Sequence, residues 1–179
     1  MPAMATDRIN ALSVDVEDYF QVSAFEPHIP RSAWERIPCR LEPDMDRILA
    51  LFADAGVRAT FFVLGWVAER FPHLVRRMVA EGHEVASHGR DHVRVTRLTP
   101  EQFRADVGGT RRLLEDIAGE AVRGYRAPSY SIGPQTLWAL RVLEEEGYTY
   151  SSSIYPIRHD LYGMPTASRF PFQDRKSVV

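Results

Sequence analysis

The stretch RATFFVLG, residues 58–65, is a short apolar segment that predicts a buried β-strand. An amphipathic helix follows it, beginning near Phe71-Pro72 and ending before Gly82. A second apolar stretch, HEVAS at residues 83–87, then predicts another strand. Strand, helix and strand in this order favour two parallel strands of one sheet, covered by the helix.

The same alternation extends in both directions along the chain. Further strands are predicted at residues 10–16, 121–127 and 148–154, and further helices at residues 43–55, 100–118 and 134–146. The helix after Thr99 has the clearest start, because Thr99 and Gln102 form a capping box with Pro100 at the first helical position. The last 25 residues show no clear element.

Five strands and four helices fit two α/β architectures. One is an open doubly wound sheet, for which 179 residues suffice. The other is a (β/α) barrel, which typically needs about 250 residues and would be incomplete here.

Composition narrows the classes of function. A net charge of −2 gives no basic field for nucleic acid, and the single cysteine, Cys39, excludes an intrachain disulfide and a zinc site built on several thiolates. No segment has the length of a membrane span, and the N-terminus lacks the pattern of a signal peptide. We therefore expect a cytoplasmic protein of one domain.

Three polar clusters follow three of the predicted strands. Asp15, Glu17 and Asp18 close the first strand, His88 and His92 follow the third, and Arg126 ends the fourth. Because the carboxyl ends of parallel strands lie at one edge of a sheet, these clusters are expected to converge.

The spacing of His88 and His92 predicts a metal site. Residues four apart on a helical turn share a face, so both imidazoles can bind one divalent ion, and an anionic oxygen from Asp15, Glu17 or Asp18 would complete the set. Zinc is the preferred ion, with cobalt or manganese as alternatives. His83 lies at the opposite end of its strand and is interpreted as structural.

Each cluster also has a simpler interpretation. The two histidines can be loop residues without a ligand role, and the carboxylates can cap the next turn. Arg126 can be a surface residue before the turn at Pro128, or it can hold a nearby carboxylate in its ionised form.

Taken together, the motifs resemble those of the NodB-type polysaccharide deacetylases, carbohydrate esterase family 4. SVDVED (13–18), SHGRDH (87–92) and YRAPS (125–129) are similar to the first three family motifs. DVEDYFQVSAF (15–25) and SSSIYPIRHDLYG (151–163) resemble the branch found in exopolysaccharide-biosynthesis loci. The resemblance covers residues 9–172, which leaves residues 1–8 and 173–179 as expected flexible tails.

The resemblance implies a deformed (β/α) barrel that removes N-acetyl groups from amino sugars of a glycan. It implies Asp15 as general base, held by Arg126, and His88 and His92 as ligands of one divalent ion. Asp18 is preferred as the third ligand, with Glu17 as the alternative. Tyr130 is the candidate for binding the oxyanion.

Several positions depart from the family pattern. Serines occupy 151–153, where the family places an aspartate that holds the arginine, and no later histidine matches the family's general acid; His159 lies in a different context. We therefore expect an incomplete domain, with little or no turnover because of truncation. The alternatives are a metal-dependent amidase acting on a small non-sugar amide and a non-catalytic flavodoxin-like binding module.

Overall fold

The computed structural model describes residues 10–160 and 162–173. The strands are β1 (Ser13–Val16), β2 (Thr60–Val63), β3 (Glu84–Ser87), β4 (Gly124–Tyr125) and β5 (Tyr150–Ser151). The α-helices are α1 (Leu41–Ala55), α2 (Gly65–Arg70), α3 (Pro72–Ala80), α4 (Pro100–Ala118) and α5 (Trp138–Glu145). Residues 1–8 of the predicted tails lie outside the described range, as do residues 174–179, and the domain limits at 9 and 172 stay predictions.

The five strands form one parallel sheet in the order β1-β2-β3-β4-β5. A doubly wound sheet reverses its strand order at a switch point, whereas a barrel adds each strand on the same side of the last. Crossovers of one hand then place every helix on one face of the sheet. The strand order therefore confirms the barrel type, with the barrel incomplete, and argues against a flavodoxin-like module.

The two faces of the sheet have different neighbours. Phe61 points towards α1, with its ring centroid 6.0 Å from that of Phe52, and it is fully buried. Phe62 points to the opposite face, which would be the interior of a barrel, and there it lies under the guanidinium of Arg126. The interior face thus carries the polar side chains of the site above an apolar floor.

Helix α2 was not predicted, because its residues continue the apolar run of the preceding strand. The structure ends β2 at Val63 and starts the helix at Gly65. The amides of Gly65 and Trp66 donate to the carbonyls of Gly89 and Arg90, at 2.9 and 3.0 Å. A contact distant in sequence therefore satisfies the helix start, and a local pattern cannot reveal it.

Other expectations are confirmed. Thr99 Oγ1 accepts from the Gln102 amide and Gln102 Oε1 accepts from the Thr99 amide, so α4 has the predicted capping box. His83 is buried, its Nδ1 accepts from the Ala59 amide, and its ring packs on Phe61, in keeping with a structural role. The described segment after residue 154 contains neither a helix nor a strand. Within the described residues, no helix combines the length and apolar character that crossing a bilayer requires.

Candidate active site

His88 and His92 come together at the carboxyl end of β3, but not on a helical turn as predicted. The residues between them form a loop in which Gly89 has a φ of +75° and His92 a φ of +53°. The two ring centroids are 5.2 Å apart, and both side chains are buried. The two histidines are therefore neighbours, as the spacing predicted, but through a loop and not through a helical turn.

The orientation of His88 is fixed by a backbone group. Its Nδ1 lies 2.8 Å from the carbonyl oxygen of Arg126, which can only accept a hydrogen bond. Nδ1 therefore carries the proton, and in the neutral ring the lone pair of Nε2 points towards Glu17. A backbone contact of this kind is typical of a histidine that binds metal.

Glu17, and not Asp18, supplies the carboxylate beside the histidines. Glu17 Oε2 lies 3.0 Å from His92 Nε2 and 3.6 Å from His88 Nε2. Burial alone would raise the pKa of Glu17, but the two imidazoles outweigh it and lower that pKa to about 2. Burial likewise opposes protonation of His88, yet its neighbouring carboxylates raise the pKa of this imidazole overall. The carboxylate is therefore ionised at neutral pH.

The prediction of Asp18 as the third ligand is corrected by its contacts. Asp18 is buried but is not part of the cluster of Glu17 with the two histidines. Its carboxylate caps the 3₁₀ turn Tyr19–Gln21. It accepts from the amides of Tyr19 and Arg40, at 2.7 and 2.6 Å, and it also pairs with the Arg40 guanidinium. Both oxygens of the Asp18 carboxylate are therefore used in hydrogen bonds that hold the loop after β1.

The three side chains fit a divalent cation. One possible ligand atom from each of Glu17, His88 and His92 lies within 4.8 Å of the other two. Metal–ligand bonds of about 2.0–2.1 Å at tetrahedral angles separate neighbouring ligand atoms by about 3.3 Å, close to the 3.0 and 3.6 Å measured between Nε2 and Oε2 atoms. Glu17 Oε2 is also buried and makes no hydrogen bond of acceptable geometry within the described residues. Such an oxygen favours a cation as its partner.

Asp15 and Arg126 form a second group beside this cluster. Arg126 Nη1 donates to Asp15 Oδ1 at 2.6 Å, and the guanidinium carbon lies 4.0 Å from the centre of the Phe62 ring. Asp15 lies in β1 and Glu17 follows one residue after the strand ends, so at this spacing in extended backbone the two side chains point to the same face. Asp15 is thus next to the predicted metal site but is not a member of the cluster.

Two serines hold the guanidinium of Arg126, which an aspartate holds in the family pattern. Nη2 donates to Ser13 Oγ at 2.9 Å and to Ser152 Oγ at 3.0 Å, and Nε donates to the Ser152 carbonyl at 3.3 Å. Neither serine was predicted to belong to the site. Ser13 shares the face of Asp15 and Glu17, a signal that was available, whereas the backbone contact of Ser152 has no sequence signature.

The ring of Tyr130 lies beside Arg126, with its centre 5.6 Å from the guanidinium carbon. It sits in the turn Pro128–Tyr130, in which Ser129 and Tyr130 have φ values of +53° and +48°. Ser129 Oγ bonds Ser23 Oγ at 2.7 Å, which ties this turn to the loop after β1. The ring is therefore held beside Arg126, and its oxyanion role stays a prediction.

The loop of residues 88–92, called the histidine loop here, also makes hydrogen bonds with other segments of the chain. Arg31 donates to Asp91 at 3.0 Å, and Asp106 accepts from the Arg90 amide at 3.1 Å. Burial raises the pKa of Asp106 to about 6, in opposition to that hydrogen bond. These contacts link the loop to the segment Arg31–Arg36 and to α4.

Fold and site together define an α/β protein of barrel winding, with a His–His–carboxylate cluster at the carboxyl ends of its strands. The family model described as polysaccharide deacetylase matches residues 35–151, which is more than half of the chain. The chain therefore belongs to the polysaccharide deacetylase family.

Among curated proteins, the chain is similar to a peptidoglycan-N-acetylglucosamine deacetylase of Bacillus cereus, with 34% identity over 89 residues. That match covers 48% of this chain and 32% of the relative. A chitooligosaccharide deacetylase of Bradyrhizobium sp. is 34% identical over 96 residues, with coverage of 54% and 42%. The chain thus spans well under two thirds of the length of these relatives.

Among solved structures, the fold is similar to that of a CE4 family pseudoenzyme from Bacillus anthracis, with a TM-score of 0.60 and 20% identity. The match covers 79% of this chain and 41% of that chain. This likeness supports the fold alone.

Proposed function

We propose that this chain carries the metal-binding and general-base half of a deacetylase that hydrolyses N-acetyl groups of amino sugars in a glycan. The observation that carries the proposal is the cluster of Glu17, His88 and His92 at the carboxyl edge of the sheet, with the Asp15–Arg126 pair beside it. The names of the two curated relatives point to N-acetylglucosamine-containing substrates.

The residues have separable roles in this chemistry. Glu17, His88 and His92 would hold one divalent ion, with zinc preferred over cobalt or manganese. A bound ion supplies Lewis acidity towards the amide carbonyl. Asp15 takes a proton from the water that adds to that carbonyl, after which the carbon–nitrogen bond breaks to give acetate and a free amine.

Arg126 acts on Asp15 and not on the ion. Its hydrogen bond from Nη1 to Asp15 Oδ1, at 2.6 Å, fixes the direction of the carboxylate. Ser13 and Ser152 hold the guanidinium without adding a second negative charge, so Asp15 is the carboxylate paired with it. Tyr130 would contact the acetyl oxygen, a role that its position beside Arg126 supports. The donor of the amine proton is not identified among residues 10–160 and 162–173.

The test compares wild type with Asp15→Asn. The variant should bind about one zinc per chain, as measured by elemental analysis after dialysis, because Asp15 is not in the cluster. Acetate release from N-acetylglucosamine oligomers should fall by roughly 10²–10⁴-fold, the usual cost of losing a general base. Long incubations at high protein concentration are needed, because we expect slow turnover from an open sheet.

Two controls define the outcome. Removing the metal with a chelator should abolish acetate release, and adding zinc should restore it. A joint His88→Ala and His92→Ala variant that retained stoichiometric zinc would refute the site. Hydrolysis of a small non-sugar amide, with none of the glycan, would support the amidase alternative.

A further inference from the structure

The chain after β5 folds into a closed loop, Tyr155–Met164, of which all but Leu161 is described. The amides of Ile157 and Met164 both donate to the carbonyl of Tyr155, at 2.9 and 2.8 Å. Gly163 has a φ of +111°, and a Cβ at this position would collide with the Ile157 carbonyl oxygen. The loop therefore has a defined shape that depends on glycine at this position.

The loop brings together aromatic rings outside the main core. The Tyr130 ring lies 5.1 Å from Tyr155 and 5.9 Å from Tyr162, and Tyr155 and Tyr162 are nearly parallel, with centroids 6.1 Å apart. His159 stacks on Tyr162 at 3.9 Å. Tyr155 is 41% exposed, so this group of Tyr130, Tyr155 and Tyr162, the tyrosine platform, is open to solvent.

The platform is continuous with the candidate active site. Tyr130, at one end of it, lies 5.6 Å from the guanidinium carbon of Arg126, and Arg126 holds Asp15. A ligand that extends beyond Arg126, away from Glu17, therefore meets Tyr155 and Tyr162. None of the three tyrosines belongs to the buried core cluster, so the packing of the core does not explain their arrangement.

We propose that the tyrosine platform binds a pyranose ring of the glycan that neighbours the sugar placed at Asp15, an inference that rests on the proposed function. The face of a pyranose that carries axial C–H groups is apolar and packs on aromatic rings. Its hydroxyl groups can exchange hydrogen bonds with the exposed phenols. A polymer or oligomer would be bound by the platform, and a single amino sugar would not reach it.

Calorimetric titration with the tetramer and the monomer of N-acetylglucosamine tests the platform. The chain is titrated with and without added zinc, so that binding is measured apart from turnover. Wild type should bind the tetramer more tightly than the monomer. The joint Tyr155→Ala and Tyr162→Ala variant should lose on the order of tenfold in tetramer affinity, and the joint Tyr155→Phe and Tyr162→Phe variant should retain most of it.

Tyr150→Ala is the matched control. Tyr150 is 39% exposed, similar to Tyr155, but it packs on Gly124 at the amino ends of β4 and β5 and is not part of the platform. Its removal should leave tetramer affinity unchanged. An equal loss in this control, or no loss in the platform variant, would overturn the proposal. So would sedimentation showing that Tyr155 and Tyr162 instead mediate contact with a second copy of the chain.

The two proposals fail separately. Platform-dependent tetramer binding by a chain that binds no zinc would refute the proposed metal chemistry and leave the glycan site. Acetate release with tetramer affinity independent of Tyr155 and Tyr162 would refute the platform alone.

Discussion

At the scale of single residues, the site depends on which face of β1 each carboxylate occupies. Side chains alternate along extended backbone, so Ser13 and Asp15 in β1 and Glu17, one residue after its end, share the interior face, whereas Asp18 follows on the opposite side. Period two in SVDVED was therefore enough to favour Glu17 over Asp18. The preference for Asp18 followed the family pattern in place of the strand geometry, and it was wrong about the position of that side chain.

Neutralising Glu17 is expected to affect zinc binding, whereas neutralising Asp18 is expected to affect stability. Glu17→Gln should weaken zinc binding by at least about 100-fold, because changes in groups that merely orient a ligand already cost about 10–100-fold. Asp18→Asn should keep zinc affinity but lower the free energy of unfolding by about 1–2 kcal/mol, through the weakened cap and Arg40 contact. Zinc titration and urea unfolding of both variants measure this. A larger loss of zinc affinity in Asp18→Asn than in Glu17→Gln would reverse the assignment.

The raised pKa of Asp106 predicts how the free energy of unfolding changes with pH. Burial raises its pKa from 3.8 to about 6, so the folded chain binds more protons than the unfolded chain between these values. The contribution of Asp106 to the free energy of unfolding therefore falls as pH rises from about 4 to about 6 and is constant above that range. Asp106→Asn should remove this pH-dependent loss. The free energy of unfolding of the variant minus that of wild type should therefore be larger at pH 7 than at pH 4, by about 1–3 kcal/mol.

Urea unfolding at pH 4, 5, 6 and 7 measures the difference between wild type and Asp106→Asn. Asp116→Asn on the same helix is the control, because Asp116 is exposed. A stability difference that does not change with pH would contradict the role of burial at Asp106.

At the scale of elements, the sequence predicted the framework better than the connections. Buried strands and amphipathic helices follow from local patterns, and the capping box of α4 is local as well. The start of α2 and the loop of His88 and His92 depend on each other through bonds from Gly65 and Trp66 to Gly89 and Arg90. The serine contacts of Arg126 likewise join residues distant in sequence, 113 positions apart for Ser13 and 26 for Ser152. Contacts of this kind leave no periodic signal.

Replacing Gly89 by alanine tests how far the positions of His88 and His92 depend on the backbone conformation of their loop. Gly89 and Gly119 have φ values of +75° and +71°, but a Cβ at Gly89 would lie 3.0 Å from Asp106 Oδ2, whereas Gly119 has open space around it. Both alanine variants should lose about 1 kcal/mol of stability from the left-handed backbone. Gly89→Ala should lose more and should also weaken zinc binding, because the loop positions both histidines. Equal zinc affinity in the two variants would show that the loop tolerates the change.

At the scale of the whole molecule, the sheet is wound like a barrel but is open. Among the described residues, β1 pairs only with β2, and β5 pairs only with β4. Two strand edges, one at β1 and one at β5, are therefore left without a partner strand in this part of the chain. Unpaired edges favour pairing with another chain, so we expect the 179-residue chain to self-associate as its concentration rises.

The edge of β5 offers a specific test of this association. The amides of Tyr150 and Ser152 donate to carbonyls of Arg123 and Tyr125, so the intervening Ser151 amide points away from β4. Ser151→Pro removes that outward donor and leaves the inward bonds in place, as proline does on natural edge strands. Ser151→Ala is the control, because it loses only the hydroxyl contact with Ser153. Sedimentation velocity should show concentration-dependent association in wild type and Ser151→Ala, and less in Ser151→Pro. A wild-type chain that stays monomeric at high concentration, melts cooperatively and releases acetate at ordinary deacetylase rates would show that the open edges do not limit this molecule.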